Sequence, residues 1–140
     1  MRLRDLVNLL DGQVLTQESD YDLDIEITSA CGADLMSDVL AFVHSGTLLL
    51  TGLTNPQVVR TAEIVEVAAI VFVRGKVPPP ETVQLARQNH VPIVLSPHTL
   101  FECCGRVYSA GVESCDVHGA ARMDVNRRLW QFARGGTVPG

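Results

Sequence analysis

The sequence predicts an α/β domain built on a small parallel sheet, and two observations carry that expectation. Apolar runs of strand length at residues 47–51, 69–73 and 91–95 are each followed by a turn and then by a helical pattern. The runs do not alternate with polar residues, which is the mark of strands buried on both faces. Proline or a capping residue opens the helical segment after each run, at Asn55-Pro56, Pro78-Pro79-Pro80 and Ser96-Pro97. Proline fits the first helical position because its missing N–H has no partner to lose there, and Asn55 can cap. Three strand–helix units in succession therefore imply a parallel sheet with helices on both sides.

Along the chain, Leu3, Leu6, Val7 and Leu10 give a short amphipathic helix ending at Gly12, and residues 13–16 read as a strand. After the acidic stretch ESDYD, Leu23, Ile25 and Ile27 alternate with polar residues, the pattern of a half-exposed strand. Gly32-Ala33-Asp34 leads into a helix whose apolar side holds Leu35, Met36, Val39, Leu40 and Val43. The first central helix carries Val58, Val59, Ala62 and Val65, with Ile64 and Val67 beyond that stripe. The second runs through Ala86 to about His90. The third places Leu100, Phe101, Cys104, Val107 and Tyr108 on one face. Past Gly111 the composition turns to Arg and Gly; Asp124 can cap a helix with Val125, Leu129 and Phe132 on one stripe, and Trp130, the one tryptophan, is a candidate anchor. The expected division is a domain over residues 1–111 and a C-terminal extension over 112–140, partly helical with a mobile end.

Composition narrows the classes. The chain has 140 residues, 46% hydrophobic and 19% charged, enough for one domain with a core. Asp5, Asn8 and Asp11 interrupt any signal-like apolar region, and no apolar run approaches membrane-spanning length. Four cysteines, two of them adjacent, do not form a secreted disulfide framework, so a reducing cytoplasm is expected. A net charge of −5 argues against nucleic acid as partner. That charge is uneven, with nine acids and two arginines in residues 1–38 against four arginines and two aspartates in residues 116–140.

The segments LLLTGLTNPQVVRTAEI and AIVFVRGKVPPPETVQLARQNHVPIVLSPHTLFECCGRVYSAG resemble the DRTGG domain family, over roughly residues 1–111. The residues that name the family are replaced: Leu53-Thr54 stand where Asp-Arg belongs, and Arg74-Gly75-Lys76 where Thr-Gly-Gly belongs. The chain is thus similar to short stand-alone members associated with iron-only hydrogenase systems. In larger members the domain sits beside nucleotide-sensing CBS domains in pyrophosphatases, or beside acyltransferase domains. The resemblance implies regulation or assembly without catalysis, with a homodimer, an oxidoreductase or hydrogenase partner, or an adenine nucleotide as candidate partners.

Three places can hold chemistry. Strand C-terminal ends in an open α/β sheet are where ligands bind, which gives Thr51, Gly52, Thr54, Arg74, Gly75, Lys76 and Ser96 as candidate ligand-binding residues, with His98 beside them. Helix N-termini there suit an anion, and Lys76 is the only lysine. Arg74-Gly75-Lys76 is not a P-loop, because Ile70 stands at the first glycine and Val77 at the hydroxyl position; no G-x-G-x-x-G or G-x-S-x-G appears. Cys103, Cys115 and His118 are a weak metal alternative, since three ligands leave a fourth to be found and Cys104 rather than Cys103 falls on the core stripe. His98 and Glu102 sit four apart and can pair. No catalytic constellation emerges, and no cofactor is expected. The readings that remain are an assembly module, with a dimer through the Ile64 and Val67 surface, and a sensor of an anionic metabolite at the strand edge.

Overall fold

The computed structural model describes residues 1–16 and 23–115. Its elements in order are α1 (Leu3–Leu9), β1 (Gln13–Val14), β2 (Ser29–Gly32), α2 (Met36–Phe42), β3 (Thr47–Thr51), α3 (Pro56–Ile64), β4 (Ala69–Phe72), α4 (Pro80–Gln88), β5 (Ile93–Leu95), α5 (Leu100–Ser109) and β6 (Glu113–Ser114). They form an α/β domain around one sheet of order β1-β5-β4-β3-β2-β6, in which β1 runs antiparallel to β5 and all other pairs are parallel. The expected parallel sheet of strand–helix units is present, enlarged by β2–α2 on one side and by β6 at the edge.

Strand periodicity divides the core in two. Successive strand residues point to opposite faces. Leu48 and Leu50 of β3, with Val71 and Val73 of the β4 segment, pack with Leu3, Leu6 and Leu10 of the α1 segment and Cys103 and Val107 of α5. Leu49, Ile70 and Phe72 face the other way, onto Val39, Val58, Val59, Ala62 and Ala86 of α2, α3 and α4. Every residue of β3 and β4 is buried. The local signals work as read: Asn55 caps α3 by accepting from the Val58 N–H at 3.3 Å, and Pro56 and Pro80 occupy the first helical turns.

The structure corrects four expectations. Residues 23–28 are not a strand of the sheet. Glu26 makes an isolated bridge to Arg2, while the Leu3 and Ile27 amides donate to the Ile25 and Met1 carbonyls at 2.9 and 2.8 Å. The alternation reflects burial of Ile27 under the chain start; the strand itself is Ser29–Gly32, whose small side chains carry no apolar pattern. In α2 only the Met36–Val39–Val43 stripe turns inward, which leaves Leu35 and Leu40 exposed. In α5 the buried pair is Cys103 and Val107; Cys104 is half-buried, and Phe101 and Tyr108 are 88% and 75% exposed. Finally, Val67 is buried in the core, so of the expected dimer surface only Ile64, 69% exposed, faces solvent. Residues 116–140, including the expected C-terminal helix, its Trp130 and the candidate ligand His118, lie outside the described residues.

Helix α5 approaches β2 closely at Gly32. A β-carbon there would lie 2.6 Å from the Cys104 sulfur and 3.6 Å from the Leu100 Cδ1. Gly32→Ala is expected to lower unfolding free energy by about 1–3 kcal/mol in chemical denaturation, the usual cost of overpacking. Much of that loss should be recovered in Gly32→Ala/Cys104→Ala, because the obstructing atom is gone; equal losses in the single and double variants would refute the contact as cause.

Candidate functional site

The β3–α3, β4–α4 and β5–α5 turns meet at one edge of the sheet, because parallel strands with short right-handed crossovers deliver all such turns to the same side. The turn after β4 is held by its own backbone hydrogen bonds. Arg74 and Gly75 both adopt left-handed backbone, φ 59° and 64°, an uncommon conformation for arginine. Their amides donate to the carbonyls of His98 at 2.6 Å and Ser96 at 2.8 Å, which clamps this turn onto the β5–α5 connection. Lys76 reaches the other way, its Nζ 3.4 Å from the Gly52 carbonyl in the turn after β3. Thr82 of α4 donates to the Thr54 carbonyl at 2.7 Å and ties the starts of α3 and α4 together.

The predicted site residues therefore share one edge but differ in what they offer. Arg74, Gly75 and Lys76 are exposed, and Thr54 is half-buried. Ser96 is buried; its hydroxyl donates to the Leu10 carbonyl at 2.7 Å and accepts from the His98 amide at 3.3 Å and the Cys103 thiol at 3.4 Å. Thr51 is buried too, donating to Asp34 at 3.0 Å and accepting from the Leu53 amide at 3.2 Å. Asp34 is the residue sequence reasoning missed. Its Oδ1 also accepts from the Gly52 amide at 2.8 Å, so a fixed carboxylate stands beside the glycine at which close ligand approach is expected. The available signal is its position two residues past the end of β2, and the alternating pattern at residues 23–27 conceals it by placing the strand too early.

A second polar cluster joins α1 to α5. Asp11, itself at positive φ, accepts from His98 Nε2 at 2.7 Å and from Arg106 Nη1 at 3.3 Å; Arg106 also donates to Glu102 at 3.0 Å and to the Leu9 carbonyl at 3.1 Å. The expected His98–Glu102 pair is thus replaced by two others, because His98 lies before the helix begins and turns toward α1. The hydrogen bond from His98, reinforced by the charges of His98 and Arg106, holds the Asp11 carboxyl below its ordinary value. Glu102, by hydrogen bond and charge, pushes Arg106 up. The cysteines behave as packing residues. Burial pushes up the Cys103 thiol and, together with the neighbouring Cys103, that of Cys104. Among the described residues no group of three or more His, Cys, Asp or Glu side chains is arranged to hold a metal ion.

A carboxyl depressed in the folded state stabilises it fully above the unfolded value, about 4 for aspartate, and the contribution drains away as pH falls through the lower folded value. Removing Asp11 should therefore flatten the acid limb. In Asp11→Asn the melting temperature is expected to be lower than that of the native chain at neutral pH, with the gap closing below about pH 4. A gap that stays constant down to about pH 2 would show that Asp11 carries no such linkage.

No curated protein matches the sequence. Among solved structures, the fold is similar to a crystal structure of the CBS and DRTGG domains of the regulatory region of a Clostridium perfringens pyrophosphatase, complexed with its activator diadenosine tetraphosphate. The TM-score is 0.58 at 15% identity, over 75% of this chain and 45% of that one, so this chain spans less than half of the length of the chain it matches. Among the described residues no helix is long and apolar enough to cross a membrane. The model of the DRTGG domain matches residues 5–110, most of the chain, and the protein belongs to the DRTGG domain family.

Proposed function

We propose that this chain is a non-catalytic regulatory module that senses an anionic ligand, an adenine nucleotide or a similar phosphorylated metabolite, at the C-terminal edge of its sheet. The observation that carries the reading is the exposed cation pair Arg74 and Lys76, held on a clamped turn, with Lys76 bridging to the neighbouring turn at Gly52. Neither makes an ion pair among the described residues. A planar guanidinium and a compact ammonium carried two residues apart on one turn suit a phosphate, which takes paired hydrogen bonds from one and a point charge from the other. Asp34 sets the polarity of the site: its carboxylate repels an anion from the Gly52 amide, so the ligand is read from the Arg74–Lys76 side. That the similar pyrophosphatase region carries a nucleotide activator supports the ligand class.

A second reading, assembly through protein contacts, is favoured by Leu35 just before α2, Leu40 on α2 and Ile64 on the neighbouring α3, which are 60%, 50% and 69% exposed. A homodimer and an oxidoreductase such as an iron-only hydrogenase are the partners the family resemblance suggests. A cytoplasmic setting fits the free thiols of Cys103 and Cys104.

Titration calorimetry with diadenosine tetraphosphate, ATP and inorganic pyrophosphate tests the first reading. Lys76→Ala should weaken binding of whichever ligand is bound by about 1.5–3 kcal/mol, the range for a hydrogen bond to a charged group, and Lys76→Arg should recover only part of it. Equal affinities in the native chain and Lys76→Ala would reject the site. Sedimentation tests the second: a dimer at tens of micromolar that Ile64→Asp converts to monomer is expected, and a native monomer at that concentration excludes the α2–α3 interface.

A further inference from the structure

Asp34 brings an acceptor to the sheet edge where Arg74 and Lys76 are donors, and its carboxyl group is only half used. Oδ1 accepts from the Thr51 hydroxyl at 3.0 Å and from the Gly52 amide at 2.8 Å, and Thr51 is buried, so the group is anchored on the core. Oδ2 takes no hydrogen bond and no ion pair among the described residues, although the side chain is exposed. A carboxylate offers about four lone-pair positions, so those of Oδ2 remain for an incoming donor. Strand register sets the place: β2 pairs Gly32 with Leu50, and the Ala33 amide donates to the Leu50 carbonyl at 3.0 Å. Gly52 then links the two charges, its amide on Asp34 and its carbonyl 3.4 Å from Lys76 Nζ. A β-carbon built at Gly52 would find the Asp34 oxygens nearest, both at 3.6 Å. A cation and a free acceptor thus flank one residue that puts no side chain between them.

We propose, resting on the reading that this edge takes a phosphorylated ligand, that Asp34 determines its specificity: Oδ2 accepts from the ribose hydroxyls of a nucleotide whose phosphates lie at Arg74 and Lys76. A bare polyphosphate meets only repulsion from this carboxylate. A neutral hydroxyl on the same molecule turns the acid into an attraction, and a hydrogen bond to a charged acceptor is among the stronger kinds. Ribose carries two vicinal hydroxyls, which match the two lone-pair positions left on Oδ2, and carries them on the same sugar as the phosphate. Parallel-sheet folds that hold nucleotides use an acid beside the phosphate site in this way. A divalent cation is the other species a carboxylate takes beside phosphate. Here the described residues bring no group of three metal-ligating side chains together, and Lys76 and Arg74 on the neighbouring turn repel a metal.

Titration calorimetry in EDTA with ATP, 2′,3′-dideoxy-ATP and inorganic tripolyphosphate separates this assignment from the reading beneath it. The native chain should bind ATP about tenfold or more tighter than the dideoxy analogue, the effect of one hydroxyl bonded to a carboxylate. In Asp34→Asn that ratio should fall toward one, because an amide N–H meets the hydroxyls only as acceptors and without charge. The amide oxygen still serves Thr51 and Gly52, so the turn keeps its anchor. Tripolyphosphate should bind Asp34→Asn at least as tightly as the native chain, since a repelling charge has gone. Equal affinities for ATP and its dideoxy analogue in the native chain overturn the proposal whether or not the variant folds, and leave the anion site standing if tripolyphosphate binds. An unchanged ratio in Asp34→Asn overturns it too, as does a preference for ATP that appears only when magnesium is added, which would assign Asp34 to a metal. No binding of any of the three at millimolar concentration removes the anion site and this proposal together.

Discussion

Everything in this fold depends on the need to bury β3 and β4 from both sides. Their residues are apolar almost without interruption, so each strand delivers one row of side chains to α1 and α5 and the other to α2, α3 and α4. Helices on both faces require crossover connections, and the crossovers carry the β3–α3, β4–α4 and β5–α5 turns to a common edge. The position of Arg74 and Lys76 is thus a by-product of core packing before it is anything chemical. Function is written onto that edge by a few side chains whose backbone the core has already fixed.

Sequence made the centre legible and the margins obscure. Residues 47–51, 69–73 and 91–95 announce themselves because a doubly buried strand has few polar positions, and Asn55 and the prolines mark the helix starts. Strand β2 is hidden because Ser29, Ala30, Cys31 and Gly32 fit a crowded sheet by being small, not by being apolar. Gly32 in particular is there to admit the Cys104 sulfur. The two residues of β6, Glu and Ser, carry no strand signal at all. On α5 the buried face sits one residue away from the stripe that the apolar pattern picks out. A helix wheel cannot distinguish the side against the sheet, where Cys103 and Val107 lie, from the adjoining apolar stripe that faces outward.

The candidate edge was legible as a set of loops and not as a set of donors. Which hydroxyls remain available is decided by distant backbone groups. Helix α1 ends with carbonyls that need partners, and Ser96 serves Leu10 while Arg106 serves Leu9. Neither demand is visible near residue 96 in the sequence, because the groups that make it lie 86 and 97 residues from their donors, at the other end of the domain. Asp34 shows the same point from the other side. Its pairing with Thr51 and Gly52 follows from the parallel register of β2 on β3, which places Gly32 opposite Leu50 and the acid just above.

The two outermost strands have a consequence of their own. Gln13–Val14 and Glu113–Ser114 are each only two residues long, and three of these four residues are polar. A foreign strand adds to a sheet by zipping along a row of free amides and carbonyls, and a margin this brief offers almost no row to zip. Central strands as apolar as β3 and β4 would be hazardous on an open border, where like segments from many copies could stack into fibrils. With β5 and β1 outside one and β2 and β6 outside the other, both are kept behind blunt polar selvedges. Among the described residues, the sheet therefore offers a partner side-chain surfaces rather than a strand edge.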